Sequence, residues 1–498
     1  MRGIIGGFVG LAAALAAGVA LAAEPDLQAM SRAELTAFTR AMPKGGDVHI
    51  HLSGAPYPET YLEWAAEDGL CIDTVRLALA PPCQPEGDLV SARGISADLR
   101  AQMMDSLSTR RPGFAGRTGH DQFFTAFDRF GATPDARRGD MLADLMQTLA
   151  MQNTFYLEVM WMPQSGAARR AGTAAGWNED FRAMDAALTP ALPALVEAAR
   201  AETDAMEARA RELLRCDAGA SAVVMRAAMA GCQVTVRYLV QANRLVPPEQ
   251  TYGQLALGRA LIAADPRWVG LQLVAPEDHP NALANYDTHM AMFSHFTRQG
   301  LAASLHAGEL TLDYATPLSI DDHVTEAVAA GARRIGHGIA IPHERDAYAL
   351  VARMAAEDIA VEVNLTSNDV ILNVEGEEHP VIWLRQAGVP VIYTTDDPGI
   401  SRIDLSHEYA RAVSDTGATY RDLVTSARNA IAFGFLPGEG LWLDPGEYRR
   451  PRPECAADLR DGARSDDCEA FLNSNAKARE QYRYERLLAI FEAERGIR

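Results

Sequence analysis

Eight short runs rich in apolar and β-branched residues recur along this chain, and longer stretches with helical periodicity separate them. No other feature constrains the fold as strongly. The runs are Asp47–Leu52, Thr154–Met160, Gln233–Val240, Trp268–Val274, Ala302–Leu305, Arg333–Ile335, Val361–Leu365 and Pro390–Thr394. Strands alternating with helices predict a parallel sheet with helical crossovers, and eight of them are what a closed (β/α)8 TIM barrel requires. Helical patterns at Asp140–Gln152, Ala284–Gly300, Asp321–Ala330 and Glu344–Glu357 occupy gaps between runs. Several stop at Gly or an Asn-like residue. Two gaps, 53–153 and 161–231, are too long for one crossover helix and read as insertions, the second carrying a helix around Ala194–Leu214. The barrel then occupies 23–435. Residues 436–498 form an extension ending in a helix, Ala476–Glu494, whose regularly spaced charges read as a solvated face. The 498 residues are long for one domain, but barrels with insertions exceed roughly 400.

The formal net charge of −20 argues against a nucleic-acid partner, because neutralising phosphates takes clustered Lys and Arg. At the N-terminus, Arg2 precedes an uncharged stretch of apolar and small residues, Ile4–Ala22, that closes on Ala20-Leu21-Ala22. This is the pattern of a signal peptide over 1–22 and implies a secreted or periplasmic protein. The alternative is a weakly hydrophobic anchor. No later stretch is long and apolar enough to span a membrane. The six cysteines fall into three close pairs without a CxxC, which argues against a zinc ribbon. In an oxidising compartment the natural disulfides are Cys71–Cys83, Cys216–Cys232 and Cys455–Cys468. The spacing leaves other pairings open, and six buried thiols are the competing reading.

In a (β/α)8 barrel the chemistry sits at the C-terminal ends of the strands, and that is where this chain gathers His, Asp and Glu. The first run ends in His49-Ile50-His51, and residues two apart in a strand face the same side. An HxH alone is weak, since two histidines so spaced also occur simply packed or at a surface. The fifth run leads into His306-Ala307-Gly308-Glu309, the sixth into Gly336-His337-Gly338, and the eighth into Thr395-Asp396-Asp397-Pro398. Glu309 also reads as a carboxylate opening a helix at Leu310, favoured by the dipole. Adjacent Asp396 and Asp397 repel unless something positive holds them. Taken together and in order, three histidines and one carboxylate fit zinc with an open position for water. Two-metal barrels of this general kind place a carboxylated lysine on the fourth strand. The run Val269–Asp278 has none, and the only lysines are Lys44 and Lys477, which favours a single ion.

Pro43-Lys44 followed by His49-Ile50-His51-Leu52-Ser53-Gly54-Ala55, with His306-Ala307-Gly308-Glu309, Gly336-His337-Gly338 and Thr395-Asp396-Asp397-Pro398, resembles the adenosine deaminase family over about residues 42–435. The secreted, growth-factor-like branch is the most similar. The resemblance implies one zinc on His49, His51, His306 and Asp396, with Glu309 protonating the purine ring. It further implies that His337 orients and deprotonates the zinc-bound water, and that Asp397 holds that water or the purine N7. Asn364-Leu365-Thr366-Ser367-Asn368 resembles the segment after the seventh strand, which usually reads Cys-Pro-x-Ser. Phe123 and Phe127 fall in a stretch resembling the helix that lids the purine pocket, although core packing at helical spacing explains them equally. Ser53 stands where many members have an acid that contacts the sugar, and Ala275 where a Gly often donates its N–H to the purine. The expected partner is a small purine nucleoside, and the family suggests a homodimer. Two other functions stay open: a mononuclear metal hydrolase acting on a small amide or ester, and a non-enzymatic extracellular binding protein on the same fold.

Overall fold

Each of the eight runs carries a strand: β1 Gly46–His51, β2 Tyr156–Trp161, β3 Thr235–Asn243, β4 Trp268–Val274, β5 Ser304–Ala307, β6 Arg334–His337, β7 Ala360–Val363 and β8 Val391–Tyr393. The structure, a computed structural model, describes residues 24–110, 114–216, 230–462 and 465–497. The signal-like segment 1–22 lies outside them. Strands β1 to β4 pair in parallel in chain order, and so do β5 to β8. Backbone bonds close both seams. Leu271 N–H donates to Ala302 O at 2.9 Å, His51 N–H to Asp396 O at 3.0 Å, and Asp396 N–H to His49 O at 2.9 Å. The result is a (β/α)8 TIM barrel.

Strand boundaries differ from expectation where polar residues stand at the mouth. β3 continues to Asn243, since Gln241 and Asn243 are polar yet still belong to the strand. β5 and β6 end on Ala307 and His337, so His306 and His337 are strand residues. β7 stops at Val363, and Leu365 opens a helix, Leu365–Leu372. No helix begins at Leu310; the first one after β5 is Pro317–Ile320. The connection after β1 holds a small antiparallel sheet of Cys71–Asp73, Ala78–Ala80 and Leu89–Ser91. Three-residue strands are too short to show a period of two.

The barrel interior is charged as well as apolar. Arg334 is fully buried; its Nη2 pairs with Glu158 at 2.7 Å and its Nε with Glu362, and its guanidinium lies 3.9 Å from the Phe435 ring centroid. Buried charges persist when paired and hydrogen-bonded in this way. The other face of β1 buries Val48 and Ile50 completely, as strands covered on both faces do.

All six cysteines are paired, as Cys71–Cys83, Cys216–Cys232 and Cys455–Cys468. The C-terminal helix Ala476–Arg495 packs one face on the barrel, with Phe491 edge-on to Phe38 at 5.4 Å and Glu485 bound to Arg428 at 2.7 Å. Both lysines are drawn inward. Lys44 is fully buried and donates to Met42 O and Gln152 O at 2.9 and 2.6 Å, and burial pulls its pKa down to about 7. Lys477 is half-buried and donates to Ala432 O at 2.8 Å, with burial lowering it to about 8. No helix among the described residues is long and apolar enough to cross a membrane.

Candidate active site

Strands β1, β5 and β8 bring four ligand-type side chains to one point. His306 Nε2 lies 3.1 Å from His49 Nε2 and 3.4 Å from His51 Nε2. Asp396 Oδ1 is 3.5 and 3.4 Å from the same two nitrogens. All four ligand atoms lie within 4.8 Å of one another. Gly336 permits the approach, since a Cβ there would stand 2.6 Å from His49 Cε1.

The surrounding bonds dictate what this point can hold. His49 Nδ1 reaches Glu362 Oε2 at 2.6 Å and His51 Nδ1 reaches Gln241 Oε1 at 3.2 Å. Both acceptors put the ring proton on Nδ1 and leave the Nε2 lone pairs facing inward, as outer partners of metal-bound histidines do. Two inward lone pairs, the Nε2 of His306 and a carboxylate in contact form a donor set suited to a cation. With no cation at this point, Asp396 and Glu362 outweigh burial and hold the His49 pKa up at about 10; a bound metal ion would displace the Nε2 proton and take its lone pair. Asp396 is held well below the usual carboxylate range: burial opposes this, and bonds to His49 and His51 overcome it. Two N-donor histidines of β1, a third from β5 and one carboxylate thus fit a metal ion. Ser367 anchors the carboxylate by donating to Asp396 Oδ2 at 2.7 Å.

Glu309, Asp397 and His337 face the same place. Glu309 N–H donates to Glu277 Oε2 at 2.6 Å, and Glu277 is held by Arg244 at 2.9 Å and His323 at 3.1 Å. Burial, then the charges of Asp396 and Glu277, push the Glu309 pKa well above the usual range. Asp397 is buried with Oδ1 unpartnered, and burial raises its pKa too. His337 ends a chain of fixed polarity. Val381 N–H donates to His379 Nδ1 (3.1 Å), so His379 carries its proton on Nε2 and donates to Asn368 Oδ1 (3.1 Å). The Asn368 amide then donates to His337 Nδ1 at 2.9 Å. Burial holds the His337 pKa down to about 4. Neutral His337 therefore bears its proton on Nε2, which is buried without a partner.

Glu309 and Asp397, with the ligand-type residues His51, His306 and Asp396, open into a cavity of about 470 Å³ lined also by Ser53, Phe123, Phe127 and Ala275. The helix Gly119–Phe130, capped by Thr118, supplies the two phenylalanines. Phe123 is fully buried against its neighbours while also walling the cavity, so the lid and packing readings both describe it. Ala275 has φ 87°, a left-handed conformation that costs a non-glycine residue about 1–2 kcal/mol. Ala275→Gly is expected to raise stability by about 1 kcal/mol after the unfolded-state entropy of glycine is subtracted. A thermal midpoint that fails to rise would show that the strain is relieved locally.

Of the supporting residues, the sequence placed Ser367 and Asn368 in the segment after the seventh strand without giving them a role, and it did not single out the others. Glu362, Gln241 and Ser367 orient ligands, Glu277 holds Glu309, and Asn368 with His379 sets His337. The one available signal was a charge inside an apolar run, Val361-Glu362-Val363.

Comparison with known proteins agrees with this geometry. The family model for adenosine deaminase matches residues 98–441. An adenosine deaminase from Shewanella loihica is 32% identical over 207 residues, covering 40% of this chain and 57% of that protein. One from Escherichia coli is 30% identical over 230 residues, covering 45% and 63%. The matched stretch thus spans about three fifths of these curated relatives. Among solved structures, an amidohydrolase from Burkholderia ambifaria with bound Zn is similar over 95% of this chain and 98% of its own (TM-score 0.53, 17% identity). The arabidopsis N6-mAMP deaminase is similar over 80% and 96% (TM-score 0.52, 21% identity). At these identities the structural likeness is one of fold. The family match covers well over half of the sequence, and the chain belongs to the adenosine deaminase family.

Proposed function

We propose that this protein is a zinc-dependent hydrolytic deaminase that converts adenosine or a related 6-aminopurine nucleoside into the 6-oxopurine with release of ammonia. The observation that carries this reading is the placement of a carboxyl group held protonated, Glu309, beside a four-ligand metal cluster under an aromatic-walled cavity. His49, His51, His306 and Asp396 would hold one zinc ion, whose chemistry is to lower the pKa of water toward about 7. Glu309 donates its proton to purine N1, which makes C6 electrophilic. His337 Nε2–H orients the attacking oxygen as a donor, and the carboxyl of Asp397, which lines the cavity, takes the proton once a cation on the four ligands offsets the neighbouring negative charge that raises its pKa. The fixed polarity of the His379–Asn368–His337 chain favours this division of roles over proton removal by His337. Oxygen adds to C6, Asp397 passes the proton it took to the amino group, which leaves as ammonia, and the C6 hydroxyl returns its proton to Glu309 as the carbonyl forms. The three disulfides support a secreted or periplasmic setting.

The test is ammonia release from adenosine by purified protein of known metal content. Chelation should abolish release and zinc should restore it. His306→Ala should lose the metal and fall to background. Stoichiometric zinc in that variant would remove His306 from the ligand set, and release unaffected by chelation would refute metal dependence. Silence toward every aminopurine with zinc bound would turn the assignment to a small amide or ester.

A further inference from the structure

A cavity of about 590 Å³ opens at the end of the barrel opposite the mouth, within the roughly 300–1,000 Å³ that encloses a small ligand. Its walls are the segments that precede β6 and β7, the end of the helix Tyr420–Ala432, the start of the C-terminal extension and the first turns of the helix Ala476–Arg495. None of them takes part in the chemistry proposed above.

Three cations stand on this wall: Arg333, Arg353 and Lys477. Arg353 is spent on Glu357, one turn further along, at 3.0 Å. The other two have no counter-charge: among the described residues, no carboxylate lies within 4.0 Å of Arg333 or Lys477. Lys477 uses one N–H on Ala432 O at 2.8 Å, and an ammonium has three to give. Burial and then the charge of Arg333 lower its pKa, so two like charges lie near each other in a chain whose net charge is −20. The remaining acid of the wall, Asp358, does not answer them. Burial alone raises its pKa, which leaves no cation against it, and its charge bears instead on Tyr448. Glu158, whose charge also reaches Lys477, is taken by Arg334 at 2.7 Å.

A neutral donor completes the set. Gln481 follows Lys477 by one turn on the same helix face and is 4% exposed. Its Oε1 accepts from Leu441 N–H at 2.6 Å, which fixes the orientation of the amide. The Nε2–H2 group has no partner among the described residues and, unlike the indole Nε1 of Trp442 on the same wall, is not sealed off; the cavity is what it opens on. Buried amides ordinarily find a partner.

We propose that this cavity is a binding site for a phosphate group, free or as a monoester, held by Arg333, Lys477 and Gln481. The guanidinium offers a planar fork to two oxygens, and the ammonium has two N–H groups left for the others. The Gln481 amide adds a donor without charge. Two unanswered positive charges match the charge of about −1.5 to −2 that a phosphate monoester carries at neutral pH.

The test is equilibrium dialysis of the purified protein against radiolabelled inorganic phosphate at fixed ionic strength, with chloride as the balancing ion. One phosphate per chain is expected, bound equally well with and without zinc, because the metal ligands lie at the other end of the barrel. Arg333→Gln and Gln481→Glu should each weaken binding roughly tenfold to hundredfold, the range for hydrogen bonds to a charged group. The second variant keeps an acceptor for Leu441 N–H and exchanges the amide donor for a carboxylate. Displacement of the label by glycerol 2-phosphate assigns the site to monoesters, and failure to displace it assigns the site to free phosphate; both uphold the proposal. It is overturned by no binding at millimolar phosphate, by binding that changes with zinc, by an affinity unmoved in both variants, or by acetate displacing the label as well as phosphate does.

Discussion

Glu309→Gln is expected to retain zinc fully and to release ammonia from adenosine roughly 10²–10⁴-fold more slowly than the parent enzyme, the usual contribution of a general acid. The amide matches the carboxyl in size, and the backbone N–H that binds Glu277 is untouched. Glutamine can still hydrogen-bond a ring nitrogen, but it cannot hand over a proton. The loss should appear in kcat with little change in KM, since it concerns an interaction that strengthens only in the transition state. Burial and the nearby carboxylates raise the Glu309 pKa, and in the proposed mechanism the acid form is the working one. The parent rate should therefore fall as pH rises through that raised value, and the variant should lack this limb. Steady-state kinetics with metal analysis decides the matter: a variant as fast as the parent removes Glu309 from the acid role.

Glu362→Ala should damage both metal binding and the fold. Without the carboxylate, His49 Nδ1 loses its acceptor, and metal affinity should drop about 10–100-fold, the typical cost of losing an outer partner of a metal-bound histidine. Arg334 loses one of its two buried counter-charges. Breaking a buried pair costs about 3–5 kcal/mol; Glu158 remains at 2.7 Å, so the lower end applies. Competition against a chelator reads the first effect, and denaturant unfolding of the metal-free protein reads the second. Glu362→Gln separates them, because its amide oxygen still accepts from His49 while the charge is gone. Metal-free Glu362→Ala as stable as the parent would show that Glu158 alone satisfies Arg334.

The contrast between His49 and Glu362 shows what a sequence carries. His49-Ile50-His51, His306 to Glu309 and Asp396-Asp397 were legible because each puts polar residues at the end of an apolar run. In a barrel that position already specifies direction and neighbours. The eight strands and the close cysteine pairs were legible for a similar reason, since local pattern is enough to define them. Glu158, Arg334 and Glu362 come from β2, β6 and β7, and only closure of the barrel makes them one network. The polarity of His337 likewise depends on a backbone N–H at Val381, which no side-chain pattern encodes. The cavity at the far end depends on how the C-terminal extension folds back beneath β6 and β7.

The inward placement of the two lysines has a practical consequence. An acylating dye or linker applied to the folded protein meets one accessible side-chain amine, because Lys44 is sealed in the core. Lys477 keeps a substantial unprotonated fraction near neutral pH, its pKa being about 8, so it is nucleophilic under mild conditions. It sits beside Arg333 and Ile359, which precede β6 and β7, on the side of the barrel opposite the mouth. Among side chains, amine coupling to a support would therefore act through this one position, which leaves the substrate entrance turned outward.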